Sequence, residues 1–281
     1  MFLFNKYRTS EQINSCGDNV KSVNWKTFLN TNPLFCAEST AVIDSNDNLY
    51  FGSHSGNFYS LDKTGRVRWV FTTKVKIYSS PLLIIDKIYF TGGDGFMYCL
   101  NLYGELIWKY YLPINYEKNT IHKLMQIIIH LPITYDINRR KNILVKSWSS
   151  PNHVDDRIIT TGYGEGLYCF NTEGELLWSY DLKYPRYQLT GVAIDDNSRL
   201  YCSSRRGYIY CFEISGRLVW KRKIRSFWEP WGNPVVDYYN DQIVFILSKL
   251  EKKGIIIVAD RDGKIIWDLK TASIRGSAAI S

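Results

Sequence analysis

The stretch from Ser79 to Trp108, SSPLLIIDKIYFTGGDGFMYCLNLYGELIW, constrains the fold of this chain more than any other feature. It holds three short apolar runs parted by turn residues, and it ends on a Gly-Glu-Leu-Ile-Trp run. Most of the chain is this stretch again. We anchored the copies on a Tyr followed six residues later by Gly and four after that by Trp, and four of them align without a gap. They are Tyr59, Gly65, Trp69; Tyr98, Gly104, Trp108; Tyr168, Gly174, Trp178; and Tyr210, Gly216, Trp220. A fifth keeps the spacing with Ile257, Gly263 and Trp267. A unit of short strands this size cannot bury its own faces, so it must stack on its copies, which predicts a repeat fold.

Each copy reads as four strands. Strand A follows a small-residue start: Ser79-Ser80-Pro81, Ser149-Ser150-Pro151, Gly232-Asn233-Pro234 and, more loosely, Ser39-Thr40-Ala41 and Thr190-Gly191-Val192. Strand B is of the Ile88-Tyr89-Phe90 type, rich in the β-branched and aromatic residues that suit a pleated surface. Strand C is the Tyr-Cys-Leu or Tyr-Cys-Phe run, and strand D carries the Trp. Gly-rich turns before strand C supply positive φ for tight connections. Short connections make an antiparallel meander, the form of a propeller blade. The expectation is therefore an all-β chain, a β-propeller of four-stranded antiparallel blades.

The combination of Ser-Ser-Pro, Ile-Tyr-Phe, Asp-Gly-x-x-Tyr and Gly-x-x-x-Trp resembles the PQQ-like repeat of quinoprotein dehydrogenases and of outer-membrane assembly lipoproteins. The resemblance covers about residues 36 to 281. It implies the fold and leaves the activity open, because propellers carry many functions. The dehydrogenases of that family use a calcium-bound quinone, a catalytic Asp and a disulfide between adjacent cysteines. None of these is recognisable here, and the sequence has no Cys-Cys pair. No PQQ-dependent oxidation is expected, and neither a cofactor nor a metal site.

The repeat argues for one domain over residues 1–281, with an insertion at 111–147 between two blades. Six blades are expected, the last closed by both chain ends, with five blades and an open edge as the alternative. In the six-blade form residues 17 to 28 supply a strand D and Gly276 to Ile280 a strand A, which removes exposed sheet edges. Cys99, Cys169 and Cys211 share one strand C position, too far apart across blades to bridge, and read as buried free thiols. With no recognisable signal segment near Met1, they give the expectation of a cytoplasmic protein. The formal net charge of +8 includes Arg139-Arg140-Lys141 and Arg205-Arg206, but no basic stripe, so nucleic acid is an improbable partner.

In a four-stranded meander the B-to-C turns and the D-to-A connections emerge on one face. Three residues before the strand A prolines stand Tyr78, Trp148 and Trp231, with Glu38, Leu189 and Arg275 at the matching places. These are expected to ring the channel mouth. The B-to-C turns add His54, Asp94, Tyr163, Glu165, Arg205 and Arg206, and the connection before Trp231 adds Trp228 and Glu229. Large aromatics beside charges on a rim make a binding surface for a protein partner or small ligand. The functional expectation is thus a non-catalytic scaffold, with an accessory enzyme active at the channel mouth as the alternative and no membrane contact.

Overall fold

The computed structural model describes residues 25–29, 39–73, 75–112, 149–162, 166–181, 189–224, 229–230, 232–249, 253–274 and 276–278. These residues form five antiparallel sheets and no helix. Sheet 1 runs β1 (Val42–Ile43), β2 (Leu49–Gly52), β3 (Asn57–Leu61) and β4 (Val67–Thr72). Sheet 2 runs β5 (Leu82–Ile84), β6 (Lys87–Thr91), β7 (Phe96–Asn101) and β8 (Leu106–Tyr111). Sheet 3 holds β9 (Asn152–Val154), β10 (Arg157–Gly162), β11 (Gly166–Asn171) and β12 (Leu176–Asp181). Sheet 4 holds β13 (Ala193–Ile194), β14 (Leu200–Ser204), β15 (Tyr208–Phe212) and β16 (Leu218–Lys223). Sheet 5 comprises β17 (Glu229–Pro230), β18 (Val235–Asp237), β19 (Gln242–Lys249), β20 (Lys253–Asp260) and β21 (Ile265–Thr271).

Each repeat is a blade in sequence order, and the protein is a β-propeller. The fifth blade keeps four strand positions with the first one split: β19 is eight residues long, and both β17 and β18 pair with the edge opposite β20. Four hydrophobic clusters lie between consecutive sheets, and a fifth joins Phe51, Tyr59 and Leu61 of sheet 1 to Leu29, before blade 1. One joins Tyr50 and Phe58 of sheet 1 to Ile88 and Phe90 of sheet 2, and another joins Tyr201 and Cys211 of sheet 4 to Phe245 and Ile257 of sheet 5. The cores of blades 2 to 5 are each shared with a neighbouring blade.

The recurring Gly and Trp form the joint between blades. The indole of Trp69 donates to Leu102 O (2.9 Å), Trp108 to Thr172 O (3.2 Å), Trp178 to Ile214 O (2.9 Å) and Trp220 to Arg261 O (2.8 Å). Each acceptor lies in the C-to-D turn of the next blade. In that turn Gly104, Gly174, Gly216 and Gly263 adopt positive φ, and a Cβ on any of them would stand 2.6 to 2.7 Å from the indole. Glycine is required there twice over, by backbone conformation and by the ring lying against it.

Within a blade, the small strand C residue sits between two large rings. Cys99 pairs with Tyr89 on one side and Trp108 on the other, and Cys211 pairs with Tyr201 and Trp220. The rings meet beside it, at 5.8 Å for Tyr89–Trp108 and 6.1 Å for Tyr201–Trp220. Cys99, Cys169, Cys202 and Cys211 are buried free thiols, as expected. Burial pushes Cys99 and Cys211 up to about 12 and Cys169 to about 11, which leaves them unreactive in the fold.

The small-residue starts of strand A make a second joint. Thr40 N donates to Ser80 Oγ (3.0 Å), Ser80 N to Ser150 Oγ (2.9 Å), Gly191 N to Asn233 Oδ1 (2.8 Å) and Asn233 N to Ser277 Oγ (2.9 Å). Every blade thus ties its backbone to the next blade's side chain at the same repeat position, except where Gly191 has none to offer. Two contacts run past the five sheets. Ser277 continues the chain of bonds after blade 5, and Trp25, before blade 1, donates to Lys63 O (2.9 Å) and lies against Gly65. A composite blade between these points would take Phe2-Leu3-Phe4 as its strand B and the neighbourhood of Ile13 as its strand C, and both segments fall outside the described residues.

Candidate functional site

The two ends of the blades are built differently. On one end four of the five C-to-D turns repeat a single device, in which Asp62, Asn101, Asn171 or Asp260 accepts through its Oδ1 from backbone N–H groups two and four residues on; blade 4 has Glu213 at that place. These side-chain-capped turns are structural. On the other end the turns read Ser53-His54-Ser55-Gly56, Gly92-Gly93-Asp94-Gly95 and Ser204-Arg205-Arg206-Gly207, with no common side chain in the middle.

The D-to-A connections close over this second end. Thr73 N donates to Gly56 O (2.7 Å), Leu112 N to Gly95 O (2.8 Å) and Ile224 N to Gly207 O (2.8 Å). The connection after β4 also holds both its neighbours, through Ile77 N to Ser53 O (3.0 Å) and Gly93 N to Lys76 O (2.9 Å). Turns and connections therefore share a face, as the strand directions require.

The expected rim residues separate into two groups. His54 and Tyr78 come together between blades 1 and 2, their rings 4.6 Å apart. His54 is buried, so it supports Tyr78 rather than presenting itself on the rim. Asp94, in the adjoining blade 2 turn, is half-buried and accepts from Tyr98 Oη (2.6 Å) and Phe96 N (3.3 Å). Burial raises its carboxyl above the ordinary range, against the pull of those two bonds. Arg205 and Arg206 stand away from this group, on blade 4, Arg205 exposed and Arg206 half-exposed.

One matched position is corrected. Leu189 does not face the mouth; it is 1% exposed, bridges to Ser204, and packs with Tyr210 and Phe212 in the core between blades 3 and 4. An apolar side chain at that place is drawn under the connection because an adjoining apolar cluster will bury it. Glu229 lies in β17, its backbone paired with Ser248. Glu38, Trp148, Tyr163, Glu165, Trp228, Trp231 and Arg275 lie outside the described residues, as does the insertion from 113 to 147.

The family model for the outer membrane protein assembly factor BamB matches residues 17–130 and 163–281. The chain belongs to that family. Among solved structures it is similar to BamB from Moraxella catarrhalis, at 15% identity and a TM-score of 0.54, covering 87% of this chain and 80% of that one. It is similar as well to a europium-containing methanol dehydrogenase, at 11% identity and a TM-score of 0.62, covering 83% of this chain and 62% of the other. Quinohemoprotein alcohol dehydrogenase ADHIIG from Pseudomonas putida HK5 matches at 13% identity and a TM-score of 0.61, over 85% of this chain and 54% of its own. The chain thus spans under two thirds of either dehydrogenase, and at these identities the likeness is one of fold. No curated protein sequence matches it significantly.

Against the BamB-family repeat, blade 4 carries residues that sequence reasoning passed over. Lys221, Arg222 and Lys223 follow Trp220 in β16, and the ammonium of Lys221 lies 4.3 Å from the Tyr208 ring centre and 5.5 Å from that of Tyr210. Lys223 stands 5.5 Å from the opposing Tyr208 ring. Overall composition hid this cluster, since basic residues are spread along the chain. Aligning the three residues after each repeat Trp would have found it.

Proposed function

We propose that this BamB-family chain is a non-catalytic scaffold that binds a protein partner through the face formed by its B-to-C turns and D-to-A connections. Residues 111–147 would serve as a lid or docking arm on that face. The carrying observation is the contrast between the two ends of the blades. One end repeats the same capped turn in four of the five blades, while the other holds Tyr78 over His54, a half-buried Asp94, and the Arg205–Arg206 pair on one repeated frame. A surface that departs from the repeat while the scaffold keeps it is where recognition is expected. The four buried free thiols favour a reducing compartment, and we extend the proposal to a cytoplasmic location.

Affinity capture from extracts of the native host tests the face. A partner held by the wild type should be lost with Arg205→Ala and Trp231→Ala and kept with Ile85→Asn, which alters an exposed A-to-B turn on the opposite face. Loss with Ile85→Asn and retention with the other two variants would show that the face was assigned backwards.

A further inference from the structure

The residues after each repeat Trp differ in one blade. They read Val70-Phe71-Thr72, Lys109-Tyr110-Tyr111, Ser179-Tyr180-Asp181, Lys221-Arg222-Lys223 and Asp268-Leu269-Lys270. Only β16 accumulates positive charge. In the first three blades the middle residue is an aromatic that packs on the next sheet: Phe71 on Tyr98 (5.7 Å), Tyr110 on Phe170 (4.9 Å) and Tyr180 on Phe212 (4.9 Å). Arg222 replaces that ring with an exposed guanidinium, bonded to the backbone carbonyls of Lys221 (3.4 Å) and Asp262 (3.3 Å) and 6.0 Å from the Trp220 ring centre. The exchange keeps a contact with the next blade and places a charge on the surface.

Two of the three cations are held close together. Lys221 and Lys223 both stand over Tyr208, so attraction to the ring face fixes two like charges side by side. No carboxylate pairs with Lys221, Arg222 or Lys223 among the described residues. An incoming anion would relieve that repulsion. β16 is also the last strand of its sheet, with one edge unpaired among the described residues. That edge offers backbone N–H and C=O groups to a further strand.

We propose that the outer edge of β16 docks an acidic peptide strand, whose backbone pairs with β16 and whose carboxylates meet Lys221 and Lys223 on one face and Arg222 on the other. The proposal rests on reading the chain as a protein-binding scaffold, and it adds a second surface to that reading. Side chains of a paired strand alternate between faces, as do these three cations, so acidic residues at successive positions find a partner each. The same charges keep copies of this edge from pairing with one another. A nucleic acid has no backbone to pair with a strand edge, and the Tyr208 ring on which a base would stack is already occupied by lysine.

The test measures fluorescence anisotropy of a labelled peptide carrying three consecutive Glu residues flanked by Val on the full chain, beside its Lys counterpart, the Lys–Val peptide, and a single-stranded oligonucleotide. The acidic peptide should bind and weaken with salt; the Lys–Val peptide should not bind. Reversal of all three cations (K221E, R222E, K223E) should weaken binding by at least about tenfold. Lys270→Glu, on the corresponding strand of blade 5, should leave it unchanged. Should the triple reversal not fold, Arg222→Gln with Lys223→Gln, both exposed, carries the same comparison. N-methylation of alternate peptide amides should abolish binding, because it blocks strand pairing and leaves charge intact. The proposal is overturned if the wild type ignores the acidic peptide, if charge reversal or N-methylation has no effect, or if the oligonucleotide binds as tightly. Partner capture on the turn face does not depend on this edge, so failure here leaves that reading standing.

Discussion

Blades 2 and 4 are built on one frame and decorated differently. Trp108 and Trp220 each reach the next blade's C-to-D turn, at 3.2 and 2.8 Å, and each lies over a glycine that has room for nothing larger. Cys99 and Cys211 each sit between a Tyr and a Trp whose rings meet. The rim and the outer strand differ. Where blade 2 has Asp94, Lys109 and Tyr111, blade 4 has Arg206, Lys221 and Lys223. Positions that touch another blade are held to one solution by packing, and positions that touch solvent are released from it. The difference between two such blades therefore separates what the fold needs from what a ligand or partner could use.

The comparison breaks first at the joint. Trp108→Ala and Trp220→Ala should each cost about 3–5 kcal/mol, since both leave a cavity between sheets. Chemical denaturation should show similar losses for the two; a near-neutral effect at either would mean that the shared frame is not what holds the blades together. Trp267 sharpens the point. It has the same place in blade 5, yet it is 48% exposed where Trp220 is 7%. Trp267→Ala should cost much less if nothing covers that ring, and a loss equal to that of Trp220→Ala would reveal a sixth blade closing over it. A smaller effect is expected at the axis, where Ser150→Ala and Ser277→Ala each remove one acceptor and should cost about 1 kcal/mol.

The frame could be read from the chain because its parts recur. A Tyr, a Gly and a Trp at fixed spacing announce a joint even when their contacts are unknown, and they led to the blade, the turn glycines and the buried thiols. The hydroxyl joint at Ser80, Ser150 and Ser277 was visible only as a small-residue start. Each hydroxyl works on a different blade, 40 to 70 residues away, and local sequence holds no sign of that. The rim was harder still. Leu189 and Tyr78 share a repeat position, but one is buried in the core and the other lies on His54, because side-chain chemistry and not register decides which way a connection residue turns. The extra strand β17 arises from the length of β19, whose apolar run continues past the point where the other B strands stop.

The smallest expected effect returns to the difference between the two rims. Asp94 is held with its carboxyl pKa raised, chiefly by burial, so the folded chain binds a proton there more tightly than the unfolded chain does. Stability then falls as pH rises through the interval from the ordinary carboxylate value to the raised one, and above it the loss is complete. Asp94→Asn removes the titration and keeps a group that can bond with the Tyr98 hydroxyl. The variant should therefore be slightly more stable than the wild type near neutral pH, with the gain shrinking in mild acid. Arg206→Asn, at the same turn position of blade 4, should show no such dependence, because an arginine does not titrate in this interval. Unfolding curves at neutral and mildly acidic pH measure both. A stability gain for Asp94→Asn that persists unchanged in acid would mean that the hydrogen bonds, and not the buried charge, set the difference between the two rims.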